Sequence, residues 1–475
     1  MEKEFDIIVI GSGPAGQRAA VQGAKLGRRV AIIERDKLGG GCLHTGTIPS
    51  KTLREAILYL TGYHQRAFYG QGYRLKPNVN MADLKQRLNQ VVGHETAIIN
   101  HQLTRNGIRI VNGEARFVDS HTVAILGEED NETLELRAEH IIIAVGSSPF
   151  HPPLAKVDGK HVLDSDQLLE LDQLPRSMTV LGGGIIGIEY ASMLTNLDID
   201  ITLIDGRDSL LGFVDKEIAD SMTFYMRNNG IRLLLGERCR DAQHVDGGML
   251  INLESGKQVR SESLLYATGR QSNTAKLNLA AAGLEANERG LMMVNENYQT
   301  RVEHIYAVGD VIGFPALAAT SNHQGRAAAY HACKHKAVRY SDFMPFGIYG
   351  VPAISMIGKT EEELTKEGIA YEVGSAQFRE TARGQILGLE DGLMKLLFAV
   401  DDRRLLGVHI IGEGATELVH VGQAVMSLNG TLDYFLHTVF NYPTLTGATY
   451  KIAALDAYNK LEQLDAGSKL PSATA

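Results

Sequence analysis

Short continuous apolar runs, each closed by a glycine turn, set the rhythm of the first two thirds of the chain. They recur at Phe5–Ile10, Ile141–Val145, Met178–Leu181, Leu264–Ala267 and Ile305–Val308. Runs of this length with no polar alternation suit strands buried on both faces of a parallel sheet. Between them the apolar positions take a helical period. Ala19, Ala20, Ala24 and Leu26 predict a helix ending at Gly27, and a strand from Arg29 to Glu34 follows. A helix is expected to start near Pro49, since proline suits a first turn. Leu53, Ala56, Ile57 and Leu60, then Leu84, Leu88 and Val91, predict helix across residues 51–106. Ile108–Val111 and Thr122–Ile125 read as short strands, Ile188–Leu197 as a helix and Ile199–Asp205 as a strand. From about residue 345 the pattern changes. Leu393–Val400 and Leu405–Ile411 alternate around Asp401-Asp-Arg-Arg404, a hairpin signal, and Ala415–Leu428 predicts an amphipathic helix. The final residues, with Gly467, Ser468 and Pro471, read as a loose tail.

The expected fold class is therefore α/β, with two Rossmann-like dinucleotide-binding domains and a C-terminal α+β domain. The divisions predicted are 1–152 and 274–344 for the two parts of the first domain, 153–273 for the second, 345–463 for the third and 464–475 for a flexible tail.

Two glycine fingerprints sharpen this picture. Gly11-Ser12-Gly13-Pro14-Ala15-Gly16 follows the first strand and opens the first helix, and Glu34 ends the next strand. Gly182-Gly183-Gly184-Ile185-Ile186-Gly187 repeats the arrangement, with Asp205 as the closing acid. In this context the first glycine allows the tight turn. The second lets backbone approach a pyrophosphate, and the third lets helix and strand pack closely. The acid is placed to accept from a ribose hydroxyl. The helix N-terminus contributes free N–H groups and partial positive charge. Two fingerprints imply two dinucleotides on one chain.

Composition narrows the classes further. The 475 residues carry a formal net charge of −9, which speaks against a nucleic-acid or anionic-membrane surface. No apolar run approaches a membrane helix, and the N-terminus leads into a strand without a signal-peptide pattern. A cytoplasmic protein is the expectation. Cys42, Cys239 and Cys333 are too few and too far apart for a disulfide framework or a zinc site.

In their order, Gly11–Gly16, Gly40–Lys51, Ala144-Val145-Gly146, Gly182–Glu189, Ala267-Thr-Gly269-Arg270 and Ala307-Val-Gly309-Asp310 resemble the pyridine nucleotide-disulfide oxidoreductases over about residues 5–465. The resemblance implies tightly but non-covalently bound FAD on the first fingerprint. Its contacts would be Gly11, Ser12, Gly13, Pro14, Ala15, Gly16, Glu34, Arg35, Gly40, Gly41, Cys42, Thr47, Lys51, Ala115, Ala144, Gly146, Gly309, Asp310 and Ala318. It implies NAD(H) or NADP(H) as substrates on the second, at Gly182, Gly184, Ile185, Ile186, Gly187, Glu189, Asp205, Gly206, Arg207 and Gly269. Asp310 would hold the ribityl chain, and Lys51 and Glu189 would pair beside flavin N5. A cation there favours reduced, anionic flavin. The C-terminal domain would make a homodimer or a higher homo-oligomer.

Two departures redirect the chemistry. The family's second redox cysteine is Thr47 here, and threonine forms neither thiolate nor disulfide. The family's C-terminal His–Glu pair is replaced by Tyr442 and Gly447; a phenol with pKa near ~10 is a poor base at neutral pH. The combination is similar to one branch, the soluble pyridine nucleotide transhydrogenases, through Gly39–Lys51, Phe440–Thr444 and Gly347–Thr360. That branch implies ping-pong hydride exchange between NADPH and NAD⁺ through FAD. The alternatives are an NAD(P)H:quinone or dye reductase, with Thr47 and Tyr442 lining the vacated pocket, and a flavoprotein that binds or senses without catalysis. No metal is expected. Coenzyme choice stays open: Asp205 favours a 2′-hydroxyl, while Arg207 offers a bidentate partner for a 2′-phosphate. Ile185 stands at the family's gating position, and a core role fits it equally. Cys42 reads as a reactive thiol or as a small packed residue.

Overall fold

A computed structural model describes residues 3–127, 133–335 and 343–468. The first sheet is built on Glu4–Ile10, which pairs in parallel with Val30–Glu34 on one side and Thr133–Ile143 on the other. Arg109–Asn112 extends it beyond Val30–Glu34, and Ile305–Ala307 pairs with Ile141–Ile143. The late return of the chain to this sheet joins the two parts of the first domain. Ile7, Ile8, Ile32, Ile141 and Ile142 are fully buried, as the continuous apolar runs require.

The second sheet repeats the design. Its order is Arg232–Leu235, Asp200–Asp205, Ser177–Leu181, Ser263–Tyr266 and Val162–Asp164, all parallel. The two chain crossings between the domains pair with each other as a short antiparallel ribbon, Ser147–Pro149 with Arg270–Ser272. The C-terminal unit is a five-stranded antiparallel sheet, including the predicted hairpin Leu393–Ala399 and Leu405–Ile411. Helices Ala415–Ser427 and Leu445–Ser468 pack on it.

Several boundaries differ from the sequence expectation for identifiable reasons. Residues 51–106 are not one helical stretch. Thr47–Leu60 ends near Gly62, which sits at φ 62°, and the long helix restarts at Met81 behind an Asn80–Asp83 capping box. The second-nucleotide helix begins at Ile185 and ends at Leu194 before a 3-10 turn, so Ile185–Gly187 belong to its first turn rather than to the loop before it. Strand Leu393–Ala399 is buried at every position rather than alternately, because both faces are covered. The last helix runs to Ser468, so the first residues of the predicted tail are helical; residues 469–475 lie outside the described residues.

Candidate functional site

The two nucleotide halves and the C-terminal unit enclose one continuous cleft of about 1510 Å³. A pocket for one small ligand is roughly 300–1,000 Å³, so the space suits two dinucleotides. Both glycine fingerprints line it, and they are built alike. Gly11 has φ 100°, and a Cβ there would lie 2.3 Å from the Ala144 carbonyl oxygen; at Gly182 the φ is 108° and the same distance to Ala267 is 2.3 Å. Gly16 and Gly187 lie behind the turns, where a Cβ would sit 1.9 Å from the carbonyl of Gly11 or Gly182. These two glycines act through packing and do not face the cleft. At Gly13 and Gly184, the N-caps of the two helices, an added Cβ meets nothing within 4 Å. Neither helix has a side-chain cap, so their N–H groups stay available to an anion.

The first half has a preformed polar rim. Glu34 is 7% exposed and accepts from Ser12 N at 2.9 Å and Ser12 Oγ at 2.6 Å, while Asp36 N donates to its other oxygen at 3.1 Å. Gly39 N donates to Ser12 Oγ at 2.8 Å. Through Ser12, Glu34 therefore ties the fingerprint to Gly39, the N-cap of the short helix Gly40–His44, as well as facing the cleft. Asp310 accepts from Ser147 Oγ at 2.7 Å. Arg270 holds Ser147 from behind, through Nε to Oγ at 2.8 Å and a terminal nitrogen to the carbonyl at 2.7 Å. Arg35, Gly40, Gly41, Ala115, Ala144, Gly146, Gly309 and Ala318 also line this half. Unfilled helix termini, a turn that leaves room for no side chain and an acid at the ribose end fit FAD.

At the centre, Lys51 Nζ reaches both Glu189 oxygens, at 2.9 and 2.7 Å. The Glu189 side chain is 5% exposed and that of Lys51 is 24% exposed. Tyr349 was not anticipated from the sequence. Its backbone N–H donates to Glu189 Oε1 at 2.8 Å, and Lys51 Nζ stands 4.8 Å from its ring centroid. The pair is thus held from three units: Lys51 from the first, Glu189 from the second and Tyr349 from the third. Neighbouring bonds repeat the pattern, Arg54 Nε to the Gly350 carbonyl at 2.9 Å and Val351 N to Ser192 Oγ at 3.0 Å. Contacts between distant segments such as these leave no local signal in the sequence.

Cys42 and Thr47 both line the cleft. All three cysteines are free. Burial pushes the Cys42 thiol up, against the lowering effects of Thr47 and Lys51. It stays protonated at neutral pH and is a poor nucleophile. Cys42→Ser is therefore expected to leave NADPH-dependent flavin bleaching within about threefold of the parent, measured by stopped flow. A loss beyond tenfold would restore the reactive-thiol reading.

Tyr442 is not in this constellation. It is 77% exposed on a loop with Val439, 93% exposed, and does not border the cleft of its own chain. The expectation that Thr47 and Tyr442 line one pocket holds for Thr47 alone within a single chain. Gly447 has a local cause: a Cβ there would lie 2.6 Å from Phe440 Cβ and 2.8 Å from Thr444 Oγ1.

At the far end, Asp205 and Arg207 do not act separately. Arg207 donates to both carboxylate oxygens, at 2.9 and 2.7 Å, and its backbone N–H adds a bond at 2.8 Å. Burial would raise the Asp205 pKa, but Arg207 and the Gly183 N–H hold it below the usual carboxylate range. Arg207 is raised, chiefly by that same bond. Ile185, Ile186, Gly206 and Gly269 also line this half.

The sequence profile of "Pyridine nucleotide-disulphide oxidoreductase" matches residues 5–325, and that of its dimerisation domain matches residues 344–452. The chain belongs to this family. A soluble pyridine nucleotide transhydrogenase of Mycobacterium bovis is 49% identical over 464 residues, 98% of this chain and 99% of the relative. One of Photorhabdus laumondii is 44% identical over 96% of this chain and 99% of its own. Among solved structures, the Cu(II) complex of the flavoprotein disulfide reductase RclA from Escherichia coli aligns with TM-score 0.86 and 27% identity. It covers 95% of this chain and 99% of that one. LpdA from Mycobacterium tuberculosis aligns with TM-score 0.87 and 25% identity over 95% and 99%. The family is FAD-dependent with NAD(P) substrates, and its dimerisation domain points to homo-oligomerisation. Among the described residues no helix is long and apolar enough to cross a membrane.

Proposed function

We propose that this chain is an FAD-dependent pyridine nucleotide transhydrogenase that moves hydride between NADPH and NAD⁺ by a ping-pong route. The observation that carries the reading is the Lys51–Glu189 pair, kept at the meeting point of both nucleotide halves while the second thiol beside Cys42 is Thr47. Bound tightly and non-covalently, FAD supplies a hydride acceptor and donor at N5. The protein residues do the rest. Lys51 offers a fixed positive charge, and Glu189 keeps its ammonium in place. Ile185, in the first turn of the second helix and on the cleft wall, packs against the incoming nicotinamide. Gly13 and Gly184 leave two helix N-termini open to pyrophosphates. The relatives at 49% and 44% identity bear the transhydrogenase name, which supports this choice over a quinone reductase.

A homodimer completes the reading. Val439 and Tyr442, exposed on the C-terminal unit, are the surface we assign to a second copy, where Tyr442 fills the space the family gives to its base. Three unpaired cysteines suit the reducing cytoplasm. The decisive measurement mixes FAD-loaded protein with NADPH and a thionicotinamide analogue of NAD⁺. Double-reciprocal plots at several NADPH concentrations are expected to be parallel. No transfer at saturating substrates overturns the proposal.

A further inference from the structure

A transhydrogenase must accept a ribose with a free 2′-hydroxyl and one with a 2′-phosphate in the same place. The obvious cation for the phosphate is Arg207, but its fork is already closed on Asp205. Together these two side chains present almost no net charge.

A second arginine lies alongside. The Arg207 carbonyl accepts from Gly236 N at 2.9 Å, and the Asp205 carbonyl accepts from Glu237 N at 3.1 Å. These bonds hold segment 205–207 against segment 236–238. Arg238 crosses the exposed backbone of Gly206: a Cβ on that glycine would lie 3.1 Å from Arg238 Cγ and 3.3 Å from its Nε. Any larger residue at 206 would displace it. Arg238 borders the cleft next to Gly206 and Arg207. The other acid nearby, Glu237, is occupied by Lys257 Nζ at 2.7 Å. Asp208 lies against Gly236 and does not border the cleft. Among the described residues Arg238 has no ion-pair partner, unlike Arg207, Arg240 and Lys257 around it.

Building on the transhydrogenase reading, we propose that Arg238 is the specificity residue for the 2′-phosphate of NADP(H), while Arg207 serves to neutralise Asp205. NAD(H) then places its 2′-hydroxyl on the Asp205 side of the paired unit. NADP(H) is tolerated there because Arg207 cancels the repelling carboxylate, and it gains affinity from Arg238. A guanidinium is suited to this task by its planar fork, its permanent charge and its weak hydration.

The test uses FAD-loaded protein and two probes that transfer no hydride, adenosine 2′,5′-bisphosphate and AMP, titrated by calorimetry. Arg238→Gln is expected to weaken the bisphosphate by about tenfold to a hundredfold, the range for one charge-assisted hydrogen bond pair. AMP should change by less than about twofold, since it lacks the group being read. Stopped-flow bleaching of the flavin should show the same split, with a higher apparent Kd for NADPH, an unchanged one for NADH and an unchanged limiting rate. The charge-balanced pair Asp205→Asn with Arg207→Gln is expected to keep bisphosphate affinity within about threefold, because Arg238 remains. Equal losses for both probes with Arg238→Gln, no loss for either, or collapse of bisphosphate binding in the charge-balanced variant would each overturn the assignment. Probe binding is read without an acceptor, so a failure of transhydrogenation itself would not imitate any of these results.

Discussion

Lys51→Met is expected to slow reduction of bound FAD by NADPH by about 10²–10³-fold, the scale for removing one preorganised charge from a reacting centre. NADPH affinity should change little, since Lys51 stands at the junction and not at the adenosine end. Stopped-flow bleaching gives the limiting rate and the apparent Kd separately. The variant has a stability cost as well. Glu189, 5% exposed, loses the ammonium at 2.7 and 2.9 Å and keeps only the Tyr349 N–H. Stranding one member of a buried pair costs about 3–5 kcal/mol. Lys51 is itself 24% exposed, which places this case at or below the lower end of that range. Glu189→Gln keeps the shape and frees the cation to move; its limiting rate should fall less than that of Lys51→Met. In the double variant, stability should recover relative to Lys51→Met while the rate stays low. That outcome separates the pair's structural role from its electrostatic one. An unchanged limiting rate in Lys51→Met would remove Lys51 from the chemistry.

The contrast between Glu34 and Tyr349 shows what the chain makes legible. Glu34 could be placed because its role follows from a local repeat: strand, glycine turn, helix, strand, acid. Each step is enforced by backbone sterics over a few tens of residues, and the second half of the chain repeats it at Asp205. Lys51 and Glu189 are 138 residues apart, and only the family resemblance joined them. Tyr349 lies in the Gly347–Thr360 segment of the resemblance, which gives it no role, and Arg238 has no such guide at all. Tyr349 matters through its backbone N–H, a group every non-proline residue carries, and Arg238 through the absence of a glycine side chain 32 positions earlier, the difference between 238 and 206. Arg207 shows the same limit. Its place two residues after Asp205 offers a phosphate ligand in the sequence, while its bidentate bond to Asp205 is visible only in the fold. The alternation expected of Leu393–Val400 gives way to burial at every position, Lys395 included. A charged residue usually marks the wet face, but here it marks a buried ion pair.

Lys395 carries the second large expected effect. Its side chain is 1% exposed and lies between the second nucleotide unit and the C-terminal sheet. Asp215, fully buried, accepts from it at 2.9 Å, Glu217 stands at 3.1 Å and Glu361 is also in contact. Burial alone would lower the lysine pKa, but Glu361 and Asp215 raise it well above the ordinary value. The sign follows directly. A raised pKa means that the folded state holds the proton more tightly than the unfolded chain, so the contribution is complete at neutral pH and is lost only as pH rises through the folded value in strong alkali. His409, opposite Lys395 in the sheet and fully buried, is pushed the other way by burial and remains neutral, with Nε2 on the Lys359 carbonyl at 2.9 Å. The cluster therefore holds a single lysine cation against acids from both sides of the domain junction. Asp215 also caps helix Lys216–Asn228, so the lock fixes the second nucleotide unit against the sheet whose strand Phe346–Ile348 leads into Tyr349. Lys395→Met should destabilise the folded state by about 3–5 kcal/mol, because Asp215 is left buried without its cation. Glu217, 53% exposed, and Glu361, 32% exposed, can turn to water and should add little. Adding Asp215→Asn is expected to recover more than half of the loss, since the amide keeps the cap and carries no charge. Urea unfolding followed by flavin release gives the comparison at fixed protein concentration. If Lys395→Met unfolded at the parental midpoint, the cluster would hold no energy and the junction would rest on its other contacts, among them the Tyr349 and Val351 backbone bonds to Glu189 and Ser192.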